Sequence, residues 1–524
     1  MLMKIKSIAN VGLETVPIMV EVDVAAAGFP GFTIVGLASK AVEEARERVK
    51  TAIVNSGFTF PNKKITVNLA PADLPKDGAA YDLPIAMGVL LASEQVGWPT
   101  EMKLNRTFFY GELSLDGSLR PTRGILLLAL FAQKKLESII FVPSKSAKEA
   151  TVVEGVQVYA VKTLVQLVKH LVGETPILKL AYAPIGEAID AVPAEFDLKE
   201  IAGQEQAKRA LMIAAAGGHN LLMWGPPGTG KTMLARALPG ILPPLASAEA
   251  LEVTRVYSIA GLLRSGEAVV SRRPFRAPHH GVSAAGLIGG GSNPLPGEVS
   301  LAHLGVLFLD EMPEFPRSVL ESLRQPMEDG VIEIVRAAGH VRYPASFTLV
   351  AAINPCPCGY LGHPRRECKC TDKQIARYKH RISGPILDRI DLTVSVAAVE
   401  VEKLAVNPSA GSGQETESSS STEIKKLVMR ARKIQEKRFA GLPADRQGLP
   451  IYTNSQMRNK EVKKLGALTK ESENLLRVAA EKYDFSARSY FRLIKVGRTI
   501  ADLEGSKEIK PQHMAEALQY KQII

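Results

Sequence analysis

The chain has 524 residues, 46% hydrophobic and 23% charged, with 65 basic against 54 acidic side chains for a net charge of +11. At about 150 residues per domain this length calls for roughly three domains of soluble globular type. The longest apolar run, Gly124–Ala132, is far too short for a membrane-spanning helix. The modest basic excess permits nucleic-acid contact without establishing it. The start, Met1-Leu-Met-Lys-Ile-Lys, lacks a long apolar segment with a cleavage site, so a cytoplasmic location and no membrane partner are expected.

Residues 1–172 mix short β-like runs (Ile18–Val24, Lys64–Leu69) with a helical stretch, Ser39–Ser56, and read as a compact α/β domain. An Ala/Pro/Glu-rich segment, 173–196, reads as a linker. It leads into a nucleotide-binding core over 197–406. The Ser/Gly-rich stretch 407–422 offers little apolar surface to bury and reads as a flexible loop; helices with charged faces follow over 423–524. No internal repeat is apparent.

Within the core, Gly225-Pro226-Pro227-Gly228-Thr229-Gly230-Lys231-Thr232 is a complete phosphate-binding loop, between the apolar strand Asn220–Trp224 and a helix-like Met233–Leu238. Its glycines let backbone N–H groups turn onto phosphates, Lys231 reaches the β/γ oxygens, and Thr232 joins the Mg²⁺ shell at a helix N-terminus. ATP and Mg²⁺ are the expected cofactors. About 80 residues on, Gly305–Leu309 ends in Asp310-Glu311, at the strand end where open α/β sheets place chemistry. Asp310 is expected to hold Mg²⁺ through water and Glu311 to orient the attacking water. A third apolar strand, Phe347–Ile353, ends in Asn354, a candidate hydrogen-bonding partner of that water or of the γ-phosphate.

All four cysteines fall in Cys356-Pro-Cys358 and Cys368-Lys-Cys370. In a reducing compartment a tetrahedral Zn²⁺ is the favoured reading, with reduced thiols or a redox sensor as alternatives. The segment Val331–Tyr343 reads as a β-hairpin, and Arg336, His340 and Arg342 are candidate DNA contacts, against the alternative of ordinary solvated turns. Arg272, Arg273 and Arg276 form a second basic cluster, and His279-His280 lacks the acidic or Cys partners a metal site needs.

The phosphate loop, DE strand and strand-terminal Asn, followed by Ser383–Asp391 and Ser486-Ala-Arg488-Ser, resemble the helix-2-insert group of AAA+ ATPases, which includes the MCM helicases and the magnesium chelatase ATPase subunit. By that resemblance Arg389 matches the arginine finger and Arg488 the sensor-2 arginine at the start of a lid helix; Arg381 is a weaker candidate. An arginine supplied to a neighbour implies a homo-oligomer, as a hexamer. The stretches Arg272–His280, Gly289–Glu298 and Asn354–Gly359 resemble the ComM/YifB family, magnesium chelatase-like, over nearly the whole chain. That resemblance implies a hexameric ATP hydrolase acting on single-stranded or branched DNA, a branch-migration helicase of natural transformation. The alternative is a chelatase-like remodelling motor acting on a protein or macrocycle. The first domain resembles the Lon protease domain, but Ala80 stands where the nucleophilic Ser is expected and Leu126 where the Lys is expected. Without nucleophile or base, proteolysis is not expected. The resulting fold class is α/β: an AAA+ phosphate-loop core, an inactive Lon-protease-like α/β domain before it, and a C-terminal helical lid.

Overall fold

A computed structural model describes residues 1–36, 39–74, 76, 78–100, 102–135, 137–188, 196–264, 266–291, 294–336, 339–363, 366–397, 420–442 and 451–521. The N-terminal part is built on a seven-stranded sheet, in spatial order Gly31–Val35, Lys64–Ala70, Glu14–Val24, Leu2–Val11, Thr107–Phe109, Ser138–Pro143, Val156–Val161. The two long strands form an antiparallel hairpin paired from Leu2 with Asp23 to Val11 with Glu14. Helix Asp82–Ala92 is buried on every side. It approaches the sheet closely at Gly88, where a Cβ would stand 2.4 Å from Val22 Cγ2, so only glycine fits. The helix expected over Ser39–Ser56 is two pieces, Lys40–Glu43 and Ala45–Asn55, and the second buries Ala45, Val49, Ala52 and Ile53 at helical spacing.

Five parallel strands form the second sheet, in spatial order Phe275–Arg276, Val306–Leu309, Thr348–Ile353, Leu221–Trp224, Leu392–Ser395. Because side chains alternate along a strand, Leu221, Met223, Phe308, Val350 and Ala352 join one apolar cluster, while Leu222, Leu307, Leu309, Leu349 and Ala351 join another. A parallel sheet covered on both faces accounts for the near-continuous apolar runs of its strands. The first cluster takes in helices Glu205–Gly217 and Lys231–Ile241 together with the C-terminal helices. Those helices are Ser421–Phe439, Asn459–Leu465, Lys470–Tyr483, Ala487–Leu503 and Pro511–Gln519. The first is capped by Ser420 and Glu423 in a reciprocal box, so it begins inside the segment read as flexible; 398–419 lie outside the described residues. Arg432 Nη2 and Gln435 Nε2 donate to Ala215 O at 2.8 Å and Ala216 O at 3.0 Å, meeting carbonyls that the end of Glu205–Gly217 leaves without helical partners.

The two sheets share packed surfaces. Helix Ile125–Gln133 of the first packs on helix Ser247–Ala260 of the second, in one cluster that also holds Ala80 and Leu126. Both positions at which the Lon resemblance expects a protease dyad are thus apolar and buried. Ser258 Oγ donates to Glu149 Oε2 at 2.6 Å across this contact, and burial pushes the Glu149 carboxyl up to about 7. A carboxyl raised above its unfolded value binds more protons folded than unfolded, so its contribution falls as pH rises from the ordinary Glu range to about 7. Thermal melts over that window should lose roughly 1 kcal/mol per pH unit from this group, a dependence that Glu149→Gln should flatten. An unchanged slope in that variant would remove Glu149 as its source.

Candidate nucleotide site and cysteine cluster

The phosphate loop leaves the strand Leu221–Trp224 at Trp224 and enters the helix at Lys231. At Gly225 a Cβ would stand 2.1 Å from Val396 O, and Gly228 and Gly230 hold φ of +77° and +90°, so these three positions require glycine. Pro226 and Pro227 have no N–H, which leaves the amides from Gly228 to Thr232 as the donors at the positive end of the helix. Thr229 Oγ1 ties the loop by donating to Pro226 O at 3.0 Å. Lys231 Nζ lies within the loop, donating to Gly225 O and Pro226 O at 2.7 Å and to Asn354 Oδ1 at 3.2 Å. Burial lowers its pKa, against the attraction of Asp310 and Glu311.

Thr232 Oγ1 donates to Asp310 Oδ2 at 2.8 Å, so two oxygen ligands of the kind Mg²⁺ prefers stand together beside the loop. Glu311 follows with φ of +48°, a left-handed conformation uncommon outside glycine, and its amide donates to Asp310 Oδ1 at 3.0 Å. The sheet order puts the strand ending at Asn354 between those ending at Trp224 and Asp310. Lys231, Thr232, Asp310, Glu311 and Asn354, drawn from three strands, therefore meet at one strand-end edge. Tyr378, which composition gave no reason to single out, accepts the Asn354 backbone amide, and burial raises its phenol to about 12.

Arg389 and Arg488 are elsewhere. Arg389 precedes the strand Leu392–Ser395, and its carbonyl accepts from Asn220 Nδ2 at 2.9 Å, just before the strand Leu221–Trp224 begins. All five strands run parallel, so this is the opposite edge of the sheet, at least four residues or about 13 Å from the loop. Arg488, in the first turn of Ala487–Leu503, donates through Nη2 to Glu328 Oε1 at 2.8 Å, and Arg389 Nη2 binds the other Glu328 oxygen. The two arginines line a cleft of about 1190 Å³ with Arg273, Arg432, Arg492 and Lys495. Arg381 is separate, paired with Glu314 at 2.7 Å.

The four cysteines converge. Their sulfurs all lie within 4.8 Å of one another, with Cys356–Cys358 at 3.3 Å and Cys356–Cys368 and Cys358–Cys368 at 3.6 Å. Tetrahedral bonds of about 2.3 Å to zinc require sulfur separations of about 3.8 Å, so the donor set fits that ion. Gly359 turns the loop at φ +82°, and a Cβ there would stand 2.6 Å from Pro227 Cδ. The cysteine loop therefore rests directly on the phosphate loop.

The hairpin forms as Val331–Arg336 paired with Gly339–Pro344. Ile332, Ile334, Val341 and Tyr343 face the core, while Arg342 lies across from Glu333 and His340 lies 3.7 Å from the same carboxylate. The Arg336 side chain is outside the described residues. In the second basic cluster only Arg272 is exposed: Arg273 is held by Glu249 at 2.8 Å and Arg276 by both oxygens of Glu298 at 2.6 and 2.7 Å. That corrects the reading of those three as one basic cluster, since two of the guanidiniums are spent inside the fold.

A parallel sheet with a phosphate loop, a paired Thr/Asp and a strand-end Asn has the layout of a phosphate-loop nucleotide-binding protein. Comparison with known proteins agrees: the families described as magnesium chelatase subunit ChlI, subunit ChlI of Mg-chelatase, and the ChlI C-terminal region match residues 197–404, 20–146 and 418–521. The chain is 43% identical to the competence protein ComM of Haemophilus influenzae and 42% identical to YifB of Salmonella typhimurium, each over 98% of this chain and 96% of the relative. It belongs to the ComM/YifB family of magnesium chelatase-like proteins. The magnesium-chelatase 38 kDa subunit of Rhodobacter capsulatus is 28% identical over 178 residues, which is 30% of this chain and 50% of that protein. Among the described residues no helix is long and apolar enough to cross a membrane.

Proposed function

We propose that the chain is an ATP hydrolase that works as a ring, a hexamer in its family's manner, and translocates on DNA, driving branch migration in recombination during natural transformation. The observation that carries this reading is the separation of Arg389 and Arg488 from the loop of their own chain, which leaves a neighbouring copy's ATP as the phosphate they can reach. ATP would sit on Gly225–Thr232, with Mg²⁺ held by Thr232 and Asp310, and a bound Mg²⁺ would offset charge on the phosphates. Glu311 and Asn354 orient water, and Lys231 holds the β/γ oxygens. The chain divides as 1–172, a Lon-protease-like platform without protease chemistry; 197–406, the motor; and 423–524, a helical lid. Arg336, His340 and Arg342 grip DNA from the hairpin, and the location is cytoplasmic.

The test is ATP turnover with and without single-stranded and forked DNA at low salt. Stimulation by DNA is expected, weakening as salt rises, because phosphate contacts release counterions. Turnover indifferent to every DNA would favour a chelatase-like remodelling motor that acts on a protein or macrocycle.

The cysteine cluster binds structural zinc that braces the phosphate loop through Gly359 and Pro227. Elemental analysis of protein purified without chelator should find one zinc per chain, and Cys356→Ser should abolish it. A metal-free preparation that still hydrolyses ATP at full rate would reject the bracing role.

A further inference from the structure

The cleft opposite the phosphate loop holds a group that the proposed mechanism leaves without a task. Glu328 sits on helix Arg324–Asp329, half exposed, and its two carboxylate oxygens bind Nη2 of Arg389 and Nη2 of Arg488. A carboxylate that joins two guanidiniums makes the contacts a γ-phosphate makes, with the same donors. Of the other Arg389 donors, Nη1 gives one of its two N–H groups to Pro385 O at 2.7 Å, and Nε is buried without a partner among the described residues. An incoming phosphate that engages both arginines therefore meets the Glu328 carboxylate already bridging their Nη2 groups. Glu328 is also tied to the hairpin. Only Asp329 and Gly330, the latter at φ +67°, separate it from Val331, and Ala345 N closes the base of the hairpin on Gly330 O at 2.7 Å.

We propose that Glu328 parks Arg389 and Arg488 away from the neighbouring copy's ATP, and that strain on the hairpin from bound DNA withdraws it. DNA occupancy then sets how many arginines are available for hydrolysis. This rests on the reading that both arginines act on a neighbour's nucleotide.

The test uses the full chain carrying Glu328→Gln, which keeps the shape and removes the charge, with Glu328→Ala as a second variant. Turnover without DNA should rise about two- to fivefold, the scale of a half-exposed ion pair. Turnover with single-stranded DNA should stay near that of the unaltered chain, so the stimulation ratio falls, while KM for ATP in the presence of DNA changes little. A merely structural role would not raise a rate. Glu328→Gln that leaves DNA-free turnover unchanged, or lowers it, overturns the proposal. Arg389→Ala separates the two readings: if that variant hydrolyses ATP normally, the trans-acting arginine itself is refuted. If it is inactive while Glu328→Gln raises nothing, only the parking role fails.

Discussion

Replacing Arg389 with alanine should lower ATP turnover by about a thousandfold or more while leaving nucleotide binding intact, because an arginine finger contributes on that scale by offsetting transition-state charge. Binding is spared because the loop, Lys231, Thr232 and Asp310 lie at the other edge of the sheet and lose no contact. The same separation sets up a sharper experiment. A chain lacking Lys231 cannot hydrolyse ATP at its own loop but still presents Arg389; a chain lacking Arg389 has the reverse defect. Mixed together, they should recover turnover that neither shows alone, since some junctions then pair an intact loop with an intact arginine. Failure of the mixture to recover, with subunit exchange demonstrated, would place Arg389 outside the reaction or inside its own chain's site.

The second large effect is at Glu311. Glu311→Gln should reduce hydrolysis by about 10²- to 10⁴-fold, the range over which a positioned general base acts, and should leave ATP bound. The side chain is presented by an unusual backbone: φ at Glu311 is +48°, so the chain turns sharply as it leaves Leu309 and Asp310. Glutamine keeps the size and removes the charge, so the variant reports on chemistry more than on folding. Near-normal turnover would transfer the role to another group at the strand ends, with Asp310 the nearest carboxylate. Persistent binding with no turnover also makes this variant the control for DNA-stimulated hydrolysis.

Much of the nucleotide site was legible in order along the chain. The phosphate loop announces itself by fixed offsets, and the apolar strands before Gly225, Asp310 and Asn354 are readable because a parallel sheet buries both faces. The cysteine cluster was readable as well, since its four members lie within 15 positions. The close approach of Gly359 to Pro227 was not, because it joins residues more than a hundred positions apart that no periodicity links. The basic residues were the least legible. Arg273 and Arg276 look in sequence like an exposed patch, yet Glu249 and Glu298 arrive from other segments to neutralise them. Arg389 and Arg488 share Glu328, a residue that belongs to no motif and that only folding brings to them.

By itself the sequence determined that a phosphate-binding loop is present, because covalent spacing alone places Lys231 and Thr232 at the head of a helix and a carboxylate pair at the end of a strand. It likewise determined that Ala80 and Leu126 supply no protease nucleophile or base, which is a matter of residue identity. Tertiary structure decided which edge of the sheet each charge occupies, which arginines are neutralised within the chain, and that the cysteine loop lies against the phosphate loop. Those outcomes depend on contacts between segments far apart in sequence, and a guanidinium has the same local sequence signature whether a distant carboxylate meets it or not.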